Sequence, residues 1–190
     1  VKEGDGTMVL QAANTYSNDT VVTAGTLAVA GGSAVPDDFD LTVTGATLRL
    51  DDSETVGPLV LEGTLSLNGN MLTLPAGTDH RIDGSAPGSG TLLVGDGATF
   101  VGEVDAPAAT VVLGSSAGVT LPINGATTNA LSAGTLNISS GTQTVVLAYA
   151  PTNTAETVTV ASYGTLIGGL GNLQLQNAAN YRIAVLTTNG

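Results

Sequence analysis

Gly25-Thr26-Leu27-Ala28-Val29 is the stretch on which the fold turns. A small residue opens it, Thr follows, and Leu27 and Val29 then fall on one face of an extended chain because side chains alternate with a period of two. The phrase returns as Gly6-Thr7-Met8, Ala46-Thr47-Leu48, Gly63-Thr64-Leu65, Gly90-Thr91-Leu92, Ala109-Thr110-Val111, Gly134-Thr135-Leu136 and Gly164-Thr165-Leu166. Intervals between successive Thr residues are 19, 21, 17, 27, 19, 25 and 30. Their mean, roughly 23 residues, lies among the periods of solenoid repeats.

Alternating runs extend the phrase, as in Thr47-Leu48-Arg49-Leu50, Thr64-Leu65-Ser66-Leu67 and Thr135-Leu136-Asn137-Ile138. Further short strands are expected at Leu41-Thr42-Val43-Thr44, Met71-Leu72-Thr73-Leu74 and Thr157-Val158-Thr159-Val160. Asn68-Gly69, Asp96-Gly97, Asn124-Gly125 and Asn189-Gly190 read as turns between them. No stretch of helical length keeps a 3.6-residue apolar spacing free of Gly or Pro. A β-sandwich also has short strands at short intervals, but its core usually draws on aromatic side chains, and aromatics are only 3% of this chain. The expectation is therefore all-β: a right-handed parallel β-helix (β-solenoid) of about eight rungs, spanning 1–190 as a single segment. At ~4.8 Å per stacked strand its body is about 40 Å long.

Composition bounds the function. The chain has 190 residues, 26 Gly and 28 Thr, no Cys and no Trp. Without Cys there is no disulfide scaffold, thiol catalysis or Cys-based metal site. The formal net charge is −12 with four basic residues, so nucleic acid and anionic membrane surfaces are poor partners. No apolar run is long enough for a membrane-spanning helix. Fifteen of the sixteen acidic residues lie in 1–105, whereas 106–190 holds only Glu156 and Arg182. That neutral half raises the idea of a face for a partner or a second copy, against ordinary compositional drift.

The first thirty residues add a resemblance. Gly4-Asp5-Gly6-Thr7-Met8-Val9-Leu10, Ala13-Asn14-Thr15-Tyr16-Ser17, Thr20-Val21-Val22 and Ala24-Gly25-Thr26-Leu27-Ala28-Val29 follow one another. This order resembles the autotransporter passenger-associated strand repeat. Asn18-Asp19 departs from that pattern, where Gly-Gly is usual, and affects only a turn. Residues 40–74 are similar more loosely. So are Val160-Ala161-Ser162-Tyr163-Gly164-Thr165-Leu166 and Ala179-Asn180-Tyr181-Arg182, while about 75–155 match only in style. The resemblance implies a parallel β-helix, display on or secretion from a bacterial cell, a longer parent chain, and a scaffold without catalytic residues.

Candidate chemistry is sparse. Asp37, Asp38 and Asp40, and then Asp51, Asp52 and Glu54, offer hard oxygen ligands of the kind Ca²⁺ takes. The Gly-and-Asp nonapeptide of calcium-binding β-rolls is absent, so solvated acidic corners are expected instead. Asp79-His80-Arg81-Ile82-Asp83 carries the only His. Acid–base work would need a nucleophile nearby, and neither Ser85 nor Ser89 stands in a nucleophile-elbow phrase. A surface strand or corner with a local salt bridge is expected there. Thr-Xaa-Thr phrases at 42–44, 142–144 and 157–159 are too irregular for an ice-binding array. Tyr16, Tyr149, Tyr163 and Tyr181 could stack on sugars, although corner packing is the expectation for Tyr16 and Tyr181. Asn18-Asp19-Thr20 and Asn137-Ile138-Ser139 are formal glycosylation acceptors of low specificity.

The expectation for function is a non-catalytic extracellular structural or adhesive segment, with no catalytic, cofactor-binding or metal residues assigned. The alternatives are a fibre or surface-layer subunit that self-associates through open solenoid ends, and a glycan-binding or glycan-cleaving β-helix. Partners, on these readings, are a second copy, a cell surface or a glycan.

Overall fold

A computed structural model describes residues 1–122, 131–148 and 159–176. Asn124-Gly125, Tyr149, Thr157-Val158, Tyr181, Arg182 and Asn189-Gly190 lie outside the described residues. The described chain forms seventeen short strands joined in one sheet, and every strand pair is parallel. The one helical element among them is a single 3-10 turn, Leu170–Asn172. The strands wind as a solenoid with three faces per turn.

Strand partners fix the turn. Val21, Thr42, Val60, Arg81, Val101 and Thr120 stack in order on the first face, giving turns of 21, 18, 21, 20 and 19 residues. The next turns are longer, at 26 residues from Thr120 to Val146 and 30 from Val145 to Leu175. These contain 123–130 and 149–158. Eight turns result, and Leu173–Leu175 opens a ninth. The fifth turn shows the pattern: Asp79–Ile82 on the first face, Gly84–Ser85 on the second and Thr91–Val94 on the third.

The Thr phrase does not mark one face throughout. Thr7, Thr26, Thr47 and Thr64 stack in register on the second face. Thr64 then pairs with Ser85, not Thr91. Thr91, Thr110, Thr135 and Thr165 form a second ladder on the third face. The 27-residue interval is thus one turn plus one face, rather than a turn with an insertion. Core volume explains why the shift is tolerated. When Leu27, Leu48 and Leu65 give way to Ala86, Ala106 and Ala133 on the second face, Leu72, Leu92, Val111 and Leu136 fill the third. Large residues move from one wall to the next and the close-packed interior keeps its filling.

Each face contributes an inward ladder. On the first, Leu41 and Leu59 are partners, and His80, Phe100, Val119 and Val145 continue the stack. Burial alternates along Leu41–Leu50, Leu59–Ser66 and Thr91–Val94 as the period-two pattern requires. Asn68 and Gly69 have φ of 50° and 82°, the pair of positive values a tight Asn-Gly turn demands.

Candidate functional site

The charged and polar residues flagged by sequence serve mainly to fasten one turn to the next. Asp19 Oδ1 accepts from the Asp40 N–H (3.2 Å), Asp83 Oδ1 from the Glu103 N–H (3.0 Å) and Asp96 Oδ1 from the Ser115 N–H (2.7 Å). Each reaches a backbone donor about one turn ahead. Amides do the complementary work: the Asn68 and Asn70 side chains donate to the Leu50 carbonyl (3.0 and 3.2 Å), and Asn172 donates to that of Ile138 (2.8 Å). Corners lie outside the strand ladders, so their backbone groups need such partners. Nothing in composition distinguishes these carboxylates from solvated ones. The signal is their spacing to the next corner, visible only once the turn length is known.

The second acidic group comes apart. Asp51 is held by Arg49 in a bidentate pair, both contacts 2.8 Å, and that hydrogen bond lowers its carboxyl below the usual range. Asp52 accepts from the Ser53 N–H (3.1 Å). Glu54 turns inward, is 2% exposed, and stacks beneath Leu72 on the third face. Its Oε1 accepts from the Val35 N–H (2.8 Å), while Oε2 finds no donor among the described residues. Burial pushes its carboxyl upward, against the lowering effect of the Val35 and Ala34 amides. Asp37 and Asp38 stay exposed, and Asp37 is raised by partial burial and by Asp38 beside it. Among the described residues no three ligand-type side chains converge on a cation position.

His80 corrects the expectation of a surface group. Its neighbours Asp79 and Arg81 do face solvent, and Arg81 binds Asp83 (2.6 Å) and Glu62 (3.1 Å). The ring itself points inward, only 4% exposed, between Leu59 and Phe100. Nδ1 accepts from the Leu59 N–H (3.2 Å). Nε2 lies 2.9 Å from Thr78 Oγ1, whose own hydrogen goes to the Pro75 carbonyl (2.6 Å). Nε2 therefore carries the proton. Burial lowers the ring below the usual histidine range, with Asp79 opposing. Both nitrogens are engaged, and neither bonds to Ser85 or Ser89.

Two concavities lie at the first turns. A cavity of about 270 Å³ is lined by Val1, Lys2, Met8, Leu10, Tyr16, Asn18, Asp19, Thr20 and Leu27. A shallower groove of about 440 Å³ runs beside it, between Asn14–Ser17 and Pro36–Phe39 with Ser33. Tyr16 borders both, and its hydroxyl is 2.5 Å from Thr20 Oγ1. Tyr163 is half-buried against the core above Ala133. The acceptor Asn137 is occupied locally, taking bonds from the Ser139 N–H and hydroxyl (3.1 and 2.8 Å). From Met71 to Ile167 the strands of the third face carry no charged residue.

Residues 1–29 match the family model described as passenger-associated-transport-repeat. The matched stretch is the first turn and the second as far as Val29, the same residues that carry the sequence resemblance. No curated protein and no solved structure matches the chain. Among the described residues no helix is long and apolar enough to cross a membrane.

Proposed function

We propose that this chain is a non-catalytic segment of an autotransporter-type passenger, a stiff rod that holds or displays surface outside a bacterial cell. The observation that carries this reading is the conjunction of the passenger repeat in residues 1–29 with a continuous stack of eight turns. Solenoid stability is the sum of nearest-neighbour contacts, and corner carboxylates and amides add a bond from turn to turn. Such a body resists bending, and its hydrogen-bonded strands resist a protease.

Negative-stain electron microscopy combined with subtilisin digestion tests it. Isolated rods of roughly 40 Å with a protected core support the reading. Rapid digestion to small fragments would sink it. Long filaments with a regular axial repeat would move the role to the fibre alternative.

The groove between Tyr16 and Phe39 favours an adhesive version. Two half-exposed aromatic rings flank Asn14, Asp37 and Asp38. Flat apolar rings with nearby hydrogen-bonding groups suit an uncharged saccharide, whose faces are apolar and whose rim is hydroxylated. A neutral-glycan array checks this: binding lost in Phe39→Ala and Tyr16→Ala supports it, and no binding to any neutral glycan removes it.

A further inference from the structure

The fourth and fifth turns meet at an unusual junction. Here the Thr ladder leaves the second face, since Thr64 pairs with Ser85 and Thr91 takes over on the third. Here, too, the first face pairs at Val60 with Arg81 and Leu61 with Ile82 only, where the junction below it pairs Leu41 to Thr44 with Leu59 to Glu62. One ladder bond is also replaced. At the junctions below, the Thr20 and Leu41 amides donate to the carbonyls of Asp40 (2.8 Å) and Pro58 (2.9 Å) in the next turn. The Leu59 amide donates instead to the ring of His80 (3.2 Å). A titratable side chain holds the place of a backbone acceptor.

We propose that this junction is an acid-sensitive seam, at which protonation of His80 releases the Leu59 amide and lets the lower four turns part from the upper turns. Imidazolium has no acceptor nitrogen. Its Nδ1–H would face the Leu59 N–H, and the ring would carry an unpaired charge between Leu59 and Phe100. Asp79 is the neighbouring charge that favours imidazolium, and burial outweighs it. On the ring's own strand Asp79 and Arg81 face outward, Asp79 accepting from the Thr99 hydroxyl and Arg81 binding Asp83 and Glu62. Glu62 is the ionisable side chain of the strand below, the strand above, Thr99–Val101, has none, and neither does Pro75–Thr78 beneath Nε2. Glu54, the buried carboxylate, belongs to the third face of the third turn and is bonded to Val35.

Because the folded ring is harder to protonate than the unfolded one, its contribution to stability is complete above about pH 6.5. It declines as pH falls from there toward the lowered folded value. Within that window each pH unit raises the opened population by up to about ten-fold. Nearest-neighbour solenoids can open at one interface without losing the others, so the response should concentrate at Leu59–Ser66 and Asp79–Ser85.

Hydrogen exchange of the full chain at pH 7.5 and pH 5, corrected for the intrinsic pH dependence of exchange, reads this directly. His80→Gln is the control, because its amide oxygen can accept from Leu59 and does not titrate. The expected result is a rise in opening at those segments in the natural chain, of up to about ten-fold for each pH unit between about 6.5 and the lowered folded value, with little change at Leu41–Leu50 and none of the rise in His80→Gln. An equal acid response in both proteins overturns the proposal. If His80→Gln does not fold, the NMR titration of the chain's single histidine decides. A ring with protonated Nε2 that titrates below the free value upholds the seam, and one that titrates at or above about 6.5 ends it.

Discussion

Gly102 shows how little room a corner leaves. Its φ of 134° is open to glycine alone, and a Cβ there would sit 1.9 Å from the Ile82 carbonyl oxygen. Gly102→Ala should cost more than about 2 kcal/mol, since backbone strain and a backbone clash add; urea denaturation at pH 7.5 would measure it. Glu54 makes a second prediction. Its folded carboxyl is raised, so the folded state binds the proton more tightly than the unfolded chain. Stability from this group must therefore rise as pH falls through the raised value, and the gain is complete near the unfolded value of about 4.3. Glu54→Gln removes that slope. The stability difference between natural chain and variant, followed by denaturant titration from pH 7.5 to 4.5, should shift in favour of the natural chain as pH drops. His80 contributes to both proteins and cancels.

Among the strands, inward ladders carry the stability. Phe100, fully buried between His80 and Val119, is the largest side chain on the first face. Phe100→Ala should cost about 3–5 kcal/mol through lost transfer energy and the cavity left behind, read from the urea midpoint. The corner carboxylates are worth less, since they are partly solvated. Asp96→Ala gives up the bond from the Ser115 N–H and should cost about 1 kcal/mol, and Asp96→Asn, which keeps an acceptor, less. Equal losses in the two variants would show that charge, rather than the turn-to-turn bond, is what Asp96 supplies. The strands themselves were legible in sequence. Thr47-Leu48-Arg49-Leu50 and Met71-Leu72-Thr73-Leu74 alternate as read. The His80 strand was legible too, but not its direction: Asp79-His80-Arg81-Ile82 alternates polar and apolar only if His is counted as apolar, and its chemistry hides that.

The whole rod is unevenly charged. The net charge of −12 falls within residues 1–105, on the lower turns, where repeated turns hold carboxylates above one another. Like charges one turn apart repel, and salt screens them over about 8–10 Å at physiological ionic strength. Raising sodium chloride from 10 to 150 mM should therefore raise the midpoint of thermal unfolding, as followed by circular dichroism. No change would mean that the Arg49 and Arg81 pairs and the corner hydrogen bonds already compensate the field.

By itself the sequence determined that the described residues form a stack of parallel strands in about eight turns, and that residues 1–29 resemble the passenger repeat whose model they match, because alternation and a recurring phrase are local properties of the chain. Tertiary structure alone decided which face each phrase occupies. Thr64 and Thr91 look equivalent in sequence, yet they lie on different walls, because register is set by what fills the core between them rather than by the phrase. The same holds for the polar residues. Glu54 reads as a solvated acid, Asp96 as a turn residue and Asp83 as part of a surface segment, and only the length of the turn placed the two aspartates against a backbone amide on the surface and Glu54 inside. His80 entered the core for the same reason: its position in the turn, and not its polarity, fixed which side of the strand it faces.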